Sequence, residues 1–479
     1  MMAQHLPQAA ITQMALGSSH QTQPLALRVG VCGSLWYRST HFGEDVASLV
    51  ALQTLLDARW PACLDTFEGD FVLCYLSPDF SCCSFYRGVT ATYTLYYRLD
   101  RALLWSTNIA QLFPHGSPTL RDVDEEMIPI LAATARPTPG RTCYRDLKSV
   151  PAGTGLCFYQ DGRISSFEHD LTLREDNRRL PLLDAAHRFR ELVRASLDRC
   201  FQGCSTANVL LSGGMDTAVV AYETACKIAD VRAFHWTWDI PLFQDERACA
   251  ELIARHLGVS LHTLDFQASI NAGGNYLRSM QSLLQPYNHA FFHCFDQIAQ
   301  AAAQDSPQVI AGGHLGDTAF QGDWADPFRA SWSRDALRTI INLFSWYPRS
   351  QAMTVLLYLL FGKQKDYSSL PGQDRIEPAS QWMTPQASKL IQEQGLFDDR
   401  QKFSRWKEAS ISTYMVRVNV QNALEGETDL DATLHTQVLL PRKLVRVHPF
   451  SDRALLEFCL SLGPEHRRVF LPGDQSPNT

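Results

Sequence analysis

After residue 200 the chain alternates short apolar runs with helix-length amphipathic segments, and no other feature limits the possible folds as tightly. NVLLS precedes TAVVAYETACKIA, VRAFHWTW precedes DERACAELIARHLG, and SLHTLDF and QVIAGG read as further strands. Strands separated by helices of this length imply a parallel sheet with helices on both faces. Ligands of such sheets sit at the carboxyl ends of the strands. The loops at those ends are the places to look for chemistry.

The first half reads differently. LALRVGVCG, GDFVLCYL, TLYYRLD, ALLWSTN and TGLCFYQDG, punctuated by Gly, Pro and Asp, predict strands between residues 25 and about 170. The charged, proline-containing TLREDNRRLPLL at 172–183 predicts a linker. LLDAAHRFRELVRASLDRCF then predicts a helix with Ala186, Phe189, Leu192, Val193 and Leu197 on one face. Residues 325–479 carry helical periodicity interrupted by Pro and Trp and read as mostly helical, and no internal repeat is present.

Composition narrows the class. The 479 residues exceed one ordinary core, and 45% hydrophobic with 19% charged residues suits sizeable buried cores rather than disorder. A net charge of -7 argues against a chain that lives on nucleic acid, because phosphate binding needs clustered Lys and Arg. The 13 cysteines are odd in number and include no CxxC pair, which fits reduced thiols in a cytoplasm better than a zinc ribbon or a disulfide framework. The N-terminus MMAQHLPQAAITQMALGSSH lacks the features of a signal peptide, and AMTVLLYLLFG at 352–362 is too short to span a bilayer. A buried helix is expected there.

In NVLLSGGMDTAVV, residues 208–220, two glycines after a buried strand let the backbone pass close to a ligand. The helix that follows offers free N–H groups and its positive dipole end to an anion. Asp216 would repel a bare polyphosphate, so its presence suits a divalent cation that bridges phosphate oxygens, which points to Mg²⁺. Capping of the helix by Ser212 and Asp216 around a Gly213–Gly214 turn explains the same residues equally well. A Walker loop is excluded because no GK[ST] follows.

SGGMDT resembles the SGGxDS pyrophosphate loop of the ATP pyrophosphatase superfamily, with Thr217 keeping the hydroxyl. GGHLGDTAFQGD at 312–323 is similar to the SGxGxDExxxGY segment of asparagine synthetases. DERACAELIARHLGVSLHTLDF at 245–266 is similar to the helix and strand after their second strand, and HPFSDRALLEFCLSLGP at 448–464 to R-x-PFLD-x-x-LVEFALSLP. GDFVLCYLSP at 69–78, YRGVTATYTLYYRL at 86–99, LLWSTNIAQLF at 103–113 and RDLKSVPAGTGLCF at 145–158 look like successive strands of a glutamine amidotransferase-like domain. The resemblance runs in order over nearly the whole chain, which is identified by it as a member of the asparagine synthetase family.

That resemblance implies an α/β chain with an Ntn-type amidotransferase-like α/β/β/α sandwich at 1–175. A Rossmann-like parallel-sheet adenine nucleotide α-hydrolase (asparagine synthase) domain is implied at 185–479. It implies ATP and Mg²⁺ as cofactors, with Asp216 and Asp317 as metal ligands and catalytic carboxylates. The nucleotide site would comprise Leu210, Ser212, Gly213, Gly214, Asp216, Thr217, Trp236, Gly312 and Gly313. In the reaction implied, a carboxylate is adenylated with release of pyrophosphate and an amine then displaces AMP. Read locally, Asp317 is a helix cap in a glycine-rich loop, and Asp245 and Glu246 stabilise a helix N-terminus.

Three departures from the family pattern direct the functional expectation. Glutamine-dependent members use a cysteine as first residue, whereas this sequence starts Met1, Met2, Ala3 and its first cysteine, Cys32, falls in an apparent strand. No glutaminase reaction by that mechanism is expected, which points to relatives whose amine is already on the substrate. These are β-lactam and carbapenam synthetases and lasso-peptide macrolactam cyclases. After Gly313, asparagine synthetases carry Glu and β-lactam synthetases Tyr; here His314 is either a catalytic general base near pH 7 or a side chain that fills the site. The family's lysine downstream of PFLD has no counterpart, since the last lysine is Lys443; Arg467 or Arg468, or a shortened C-terminus, stands in its place.

The expected function is a lasso-peptide cyclase. An ammonia-dependent asparagine synthetase, a β-lactam-type synthetase and a catalytically impaired pseudoenzyme are the alternatives. The expected substrate is a peptide or small carboxylate, the expected companions are a precursor-processing protease and a peptide-recognition protein, and neither nucleic acid nor membrane is expected as a partner.

Overall fold

The apolar positions of the first half alternate along its strands, and two faces of one sheet are buried as a result. A computed structural model describes residues 27–37, 40–42, 45–100, 102–113, 115–134, 137–172, 174, 176–177, 180–237, 246–265, 292–302, 308–320, 434–463 and 466, with a few single positions between 337 and 420. In chain order the first half contains β1 (Val29–Gly33), β2 (Leu35–Tyr37), β3 (Thr40–Phe42), α1 (Val46–Arg59), β4 (Phe67–Glu68), β5 (Phe71–Leu76) and β6 (Cys82–Arg87). There follow β7 (Tyr96–Leu99), β8 (Leu103–Ser106), α2 (Met127–Thr134), β9 (Leu147–Ser149), β10 (Thr154–Tyr159) and β11 (Ile164–Glu168). One antiparallel sheet runs β1-β5-β6-β10-β11, a second β8-β7-β9, and a small third β3-β2-β4.

Along β5 the side chains part to opposite faces. Phe71, Leu73 and Tyr75 join Val29 and Val31 against Leu52 and Leu56 of α1. Val72 and Cys74, with Cys83 and Phe85, meet Leu95, Leu103 and Val150 of the second sheet and its flanks. The far side of that sheet is closed by Ile109, Leu112, Phe113 and Tyr144, with Leu131 of α2 packed alongside. The layers are therefore α/β/β/α. Leu52 and Leu56 are fully buried, and each such burial contributes roughly 1.5–3 kcal/mol.

Reading this half as strands overlooked α1. Its apolar residues spread around the helix, leaving Val46 and Val50 exposed, so no clean stripe marks it. Its start is signalled only by Asp45, whose carboxylate accepts from the Ser48 N–H at 3.0 Å. Cys32 lies in β1 as expected, opposite Val72, and packs against the core between the two sheets.

The second half opens with α3 (Leu182–Cys200) and continues as β12 (Thr206–Leu210), α4 (Met215–Ala225), β13 (Asp230–Thr237), α5 (Arg247–Leu257) and β14 (Ser260–Asp265). Then come α6 (Phe292–Ala302), β15 (Gln308–Ala311), α7 (Gly316–Phe320), β16 (Leu444–Val447) and α8 (Arg453–Ser461). The strands pair in parallel in the order β14-β13-β12-β15-β16. The chain steps outward from β12 to β14 and returns to the other side of β12 for β15. The reversal falls between β12 and β15, and a crevice at such a point is where open α/β sheets bind ligands.

One face of this sheet is covered by an apolar cluster of Phe234, Phe295, Ile298, Ile310 and Leu444. Asn208, fully buried in β12, donates from Nδ2 to the Val309 carbonyl at 3.0 Å and ties β12 to β15. Helix α5 ends on Gly258, whose φ of +69° supplies the left-handed cap. In α3 the expected stripe is present at Leu192, Val193 and Leu197. Near its start, however, Ala185 is buried in place of Ala186, one residue earlier in phase.

Two compact units divide the chain. The first takes Met1–Leu171, Leu192–Gly316 and Asn422–Leu456, and so holds both the sandwich and the parallel sheet. The second takes Thr172–Glu191, Asp317–Gln421 and Glu457–Thr479. Within it the segment read as a linker is tied down: the Thr172 N–H donates to Glu457 at 3.1 Å and the Arg174 N–H to Ser461 Oγ at 2.8 Å. Asp245, Arg467, Arg468 and most of residues 325–433, including most of 352–362, lie outside the described residues. Among the described residues no helix is long and apolar enough to cross a membrane, and no cysteine is disulfide-bonded.

Candidate active site

The loop after β12 is shaped by two hydroxyls and one glycine. Leu211 extends the ladder by one step, its N–H donating to the Phe234 carbonyl at 2.9 Å. Gly213 then adopts φ +101°, and a Cβ there would come 2.9 Å from the Glu246 carbonyl oxygen, so a side chain is excluded on two grounds. Ser212 Oγ accepts from the Gly214 N–H at 3.1 Å. Thr217 Oγ1 accepts from the Ser212 N–H at 3.1 Å and donates to the Gly214 carbonyl at 3.2 Å. The N-cap of α4 is Gly214, which has no side chain to offer, and Asp216 lies inside the first turn. Asp216 is therefore not the cap that one reading of the sequence made it.

The loop after β15 presses on the first through its glycines. A Cβ on Gly312 would stand 3.0 Å from Leu210 Cδ1, and one on Gly313 2.9 Å from Asp216 Cβ and 3.0 Å from the Thr217 nitrogen. A Cβ on Gly316 would lie 2.3 Å from Asp216 Cγ. Between them Leu315, not a glycine, is held at φ +69°, a conformation that costs on the order of 1–3 kcal/mol and that clusters at functional sites. Asp317 follows Gly316 as an exposed side chain in the first turn of α7.

Leu210 and Trp236, both expected at the nucleotide, pack at the margin of the apolar cluster under the sheet. Trp236 meets Phe295 edge-on at 5.1 Å. Glu246 occupies the N-cap of α5 without a side-chain cap bond, and its backbone is the surface on which Gly213 rests. Lys443 stands at the amino end of β16, where its carbonyl accepts from the Gln308 N–H at 2.8 Å. The glycine-bearing loops after β12 and β15 lie at the opposite, carboxyl ends of the strands.

A cluster that sequence reasoning missed surrounds His314. Its ring lies 4.9 Å from that of His448, at 65°. His448 is buried, and burial first, then the nearby Arg446, His314 and His435, hold it well below the usual histidine range. His448 is thus neutral near pH 7. The His435 ring lies 5.0 Å from Tyr93, and Arg446 sits 4.4 Å above the Phe295 ring. The signal available in the sequence was the HPF turn directly after a short apolar run, which places a histidine at a strand's carboxyl end.

Among the described residues no group of three or more His, Cys, Asp or Glu side chains is arranged to hold a metal ion. Magnesium shared with phosphates needs only one or two protein carboxylates. Asp216, in the first turn of the helix after β12, is one carboxylate of that kind.

Residues 188–469 match the asparagine synthase family. No curated protein matches the sequence. Among solved structures, the chain is similar to an NH3-dependent NAD synthetase from Campylobacter jejuni, at 15% identity over 52% of this chain and 96% of that one, with a TM-score of 0.24. It is also similar to a glutamine phosphoribosylpyrophosphate amidotransferase from B. subtilis, at 9% identity over 61% of this chain and 57% of that one (TM-score 0.19). A third is an allosteric regulatory enzyme of purine biosynthesis, at 9% identity over 55% of this chain and 47% of that one (TM-score 0.17). With the family match spanning more than half of the chain, and two glycine-built loops meeting at the reversal of a parallel sheet, the protein belongs to the asparagine synthase family of ATP-dependent ligases that form carbon–nitrogen bonds.

Proposed function

We propose that this ATP-dependent ligase closes an amide bond within one substrate, as a lasso-peptide macrolactam cyclase. A carboxylate is activated by adenylation, and an amine already present on the same peptide attacks it. The observation that carries this reading is His314, directly after the glycine that packs on Asp216 and Thr217, with neutral His448 4.9 Å away. An imidazole there suits the removal of a proton from an attacking amine.

The chain's own residues have distinct parts in this scheme. Backbone N–H groups at the start of α4 receive anionic oxygens of the leaving pyrophosphate. The Ser212 and Thr217 hydroxyls take up the N–H groups of Gly214 and Ser212 and so brace the loop that leads into α4. Asp216 and Asp317 would hold Mg²⁺, which supplies neutralisation of phosphate charge when bound. A nitrogen of His314 accepts the proton of the amine. The reading carries a cytoplasmic setting, with a precursor-processing protease and a peptide-recognition protein as companions.

The test is to incubate the protein with ATP, Mg²⁺ and linear peptides that carry a free α-amine and an internal Asp or Glu, and in parallel with aspartate and ammonium. AMP release together with loss of one water from a peptide is the expected outcome. AMP and asparagine from the second mixture alone would replace this reading with ammonia-dependent asparagine synthesis. Nucleotide binding without AMP under either condition would assign a pseudoenzyme.

A further inference from the structure

His235 lies on β13 between two residues of opposite facing. Phe234 and Trp236 belong to the apolar cluster on one face of the sheet, so His235 projects to the other, where α4 and α5 pack on β13. It is 3% exposed. Burying an imidazole is costly unless its polar atoms are used. Here one is: Nδ1 lies 2.8 Å from the Leu211 carbonyl oxygen. A carbonyl only accepts, so Nδ1 carries the proton and donates. Nε2 is buried without a hydrogen-bond partner among the described residues, which leaves the bond to Leu211 as the polar contact that accounts for a histidine at this place.

Leu211 is where the chain leaves the sheet. Its N–H is held by the Phe234 carbonyl at 2.9 Å and its C=O by the side chain of the next residue on β13. The following N–H, that of Ser212, donates to Thr217 Oγ1 at 3.1 Å. The peptide plane joining residues 211 and 212 is therefore bonded at both edges, by His235 on its carbonyl side and Thr217 on its amide side. The orientation of this plane sets the direction in which the N–H groups of the next residues point. Without the histidine bond the plane is held at its amide edge alone, and the backbone beyond it is less firmly oriented.

We propose that His235 is a positioning residue for the loop of residues 212–217, orienting its backbone N–H groups for a pyrophosphate or nucleoside triphosphate. The inference rests on reading that loop as the pyrophosphate site. It requires a donor at the Nδ1 position and nothing else of the imidazole.

The experiment measures binding of inorganic pyrophosphate and of a non-hydrolysable ATP analogue, each with Mg²⁺, by calorimetry to the native protein and to His235→Asn, His235→Gln and His235→Leu. Asparagine places its amide N–H where Nδ1 stands, whereas glutamine carries it one bond further. Native protein should bind both ligands, and His235→Asn should bind within about 2-fold of it. His235→Leu should bind about 3- to 10-fold more weakly, the loss of one hydrogen bond's net contribution. Native-like affinity in His235→Leu, or equal weakening in His235→Asn, overturns the proposal. Should the leucine variant not fold, a weaker glutamine than asparagine variant supports the proposal and equal affinities overturn it. Failure of the native protein to bind either ligand overturns the loop reading itself, and is distinguished by that. Nitrogen NMR of the imidazole gives an independent readout: the Nδ1–H tautomer is required, and the Nε2–H tautomer sinks the idea.

Discussion

The carboxylate of Asp216 fills the space that a side chain on Gly316 would need, with Cγ 2.3 Å and Oδ2 2.5 Å from where a Cβ would stand. A methyl group at 316 cannot share that volume, so the carboxylate must swing away from the second loop. Gly316→Ala should therefore lower AMP formation by roughly 100-fold, the scale expected when a catalytic group is displaced by about an ångström. Circular dichroism should show the fold retained. A native rate in this variant would mean that the position of the Asp216 carboxylate is immaterial.

Removing the carboxylates themselves tests the metal assignment. Asp216→Ala and Asp317→Ala should each abolish Mg²⁺-dependent adenylation, measured as exchange of labelled pyrophosphate into ATP. Lys443→Ala is the matched control, because its backbone pairs at the amino end of β15 and β16. It should exchange at the native rate. Full exchange in either aspartate variant would relocate the ion.

Two titratable groups, Asp70 and His448, give opposite pH dependences to stability. Asp70 accepts from the Thr92 N–H at 2.8 Å and the Tyr93 N–H at 3.4 Å, yet burial outweighs these bonds and pushes its carboxyl up from 3.8 to about 6. Between those values the folded state keeps a proton that the unfolded state releases, so this contribution is full below pH 3.8 and is lost as pH rises to about 6. Part of Asp70 still meets solvent, which keeps the effect below the roughly 3 kcal/mol that such a shift carries. His448 acts the other way: its folded value lies well below 6.5, so stability falls as pH drops under 6.5. Urea melts of Asp70→Asn should lose the first slope, and those of His448→Asn the second. A slope unchanged by its variant assigns the titration elsewhere.

Asp452, the acid of the HPFSD segment, is held in an ion pair and caps a helix start. Its carboxylate pairs with Arg199 of α3 and accepts from the Leu455 N–H at 3.2 Å at the start of α8. The pair is largely buried, with side-chain exposures of 18% for Arg199 and 4% for Asp452. Asp452→Ala leaves the guanidinium without this partner and should destabilise the protein by about 3–5 kcal/mol. Arg199 also reaches Glu68 at 3.3 Å, which sets the lower end of that range. Chemical denaturation measures the loss, and a change under 1 kcal/mol would show the pair to be dispensable.

What the sequence disclosed, and what it concealed, follows from range. The strands after residue 200 and helices α4 and α5 were readable because each is a local apolar pattern set by near neighbours in sequence. The meeting of the loops after β12 and β15 was foreshadowed by their glycines, which leave room for Asp216 and Thr217 where a Cβ would clash. Helix α1 was not, because its burial comes from two leucines, Leu52 and Leu56, on an otherwise mixed surface. The cluster of His314, His435 and His448 was hidden for another reason. These residues are far apart along the chain and meet only because β16 pairs with β15, and no local periodicity reports such a pairing. His235 was invisible as a functional residue, since a lone histidine in a strand looks like filler until its partner carbonyl is known.

The pairing of β15 with β16 joins residues 308–311 to residues 444–447, and this sets a timetable for synthesis. When β15 emerges from the ribosome its partner is still about 130 residues away, which at roughly 5–20 residues per second is on the order of ten seconds. Throughout that interval β15 is a bare sheet edge, with unpaired N–H and C=O groups of the kind that recruits foreign strands. The outer side of the sheet beyond β15, with His448 just after β16, is thus among the last parts of the chain to be completed. A ribosome that stalls after residue 320 would display a half-built sheet with the loop of residues 212–217 in place, and holdase chaperones should find it at that stage.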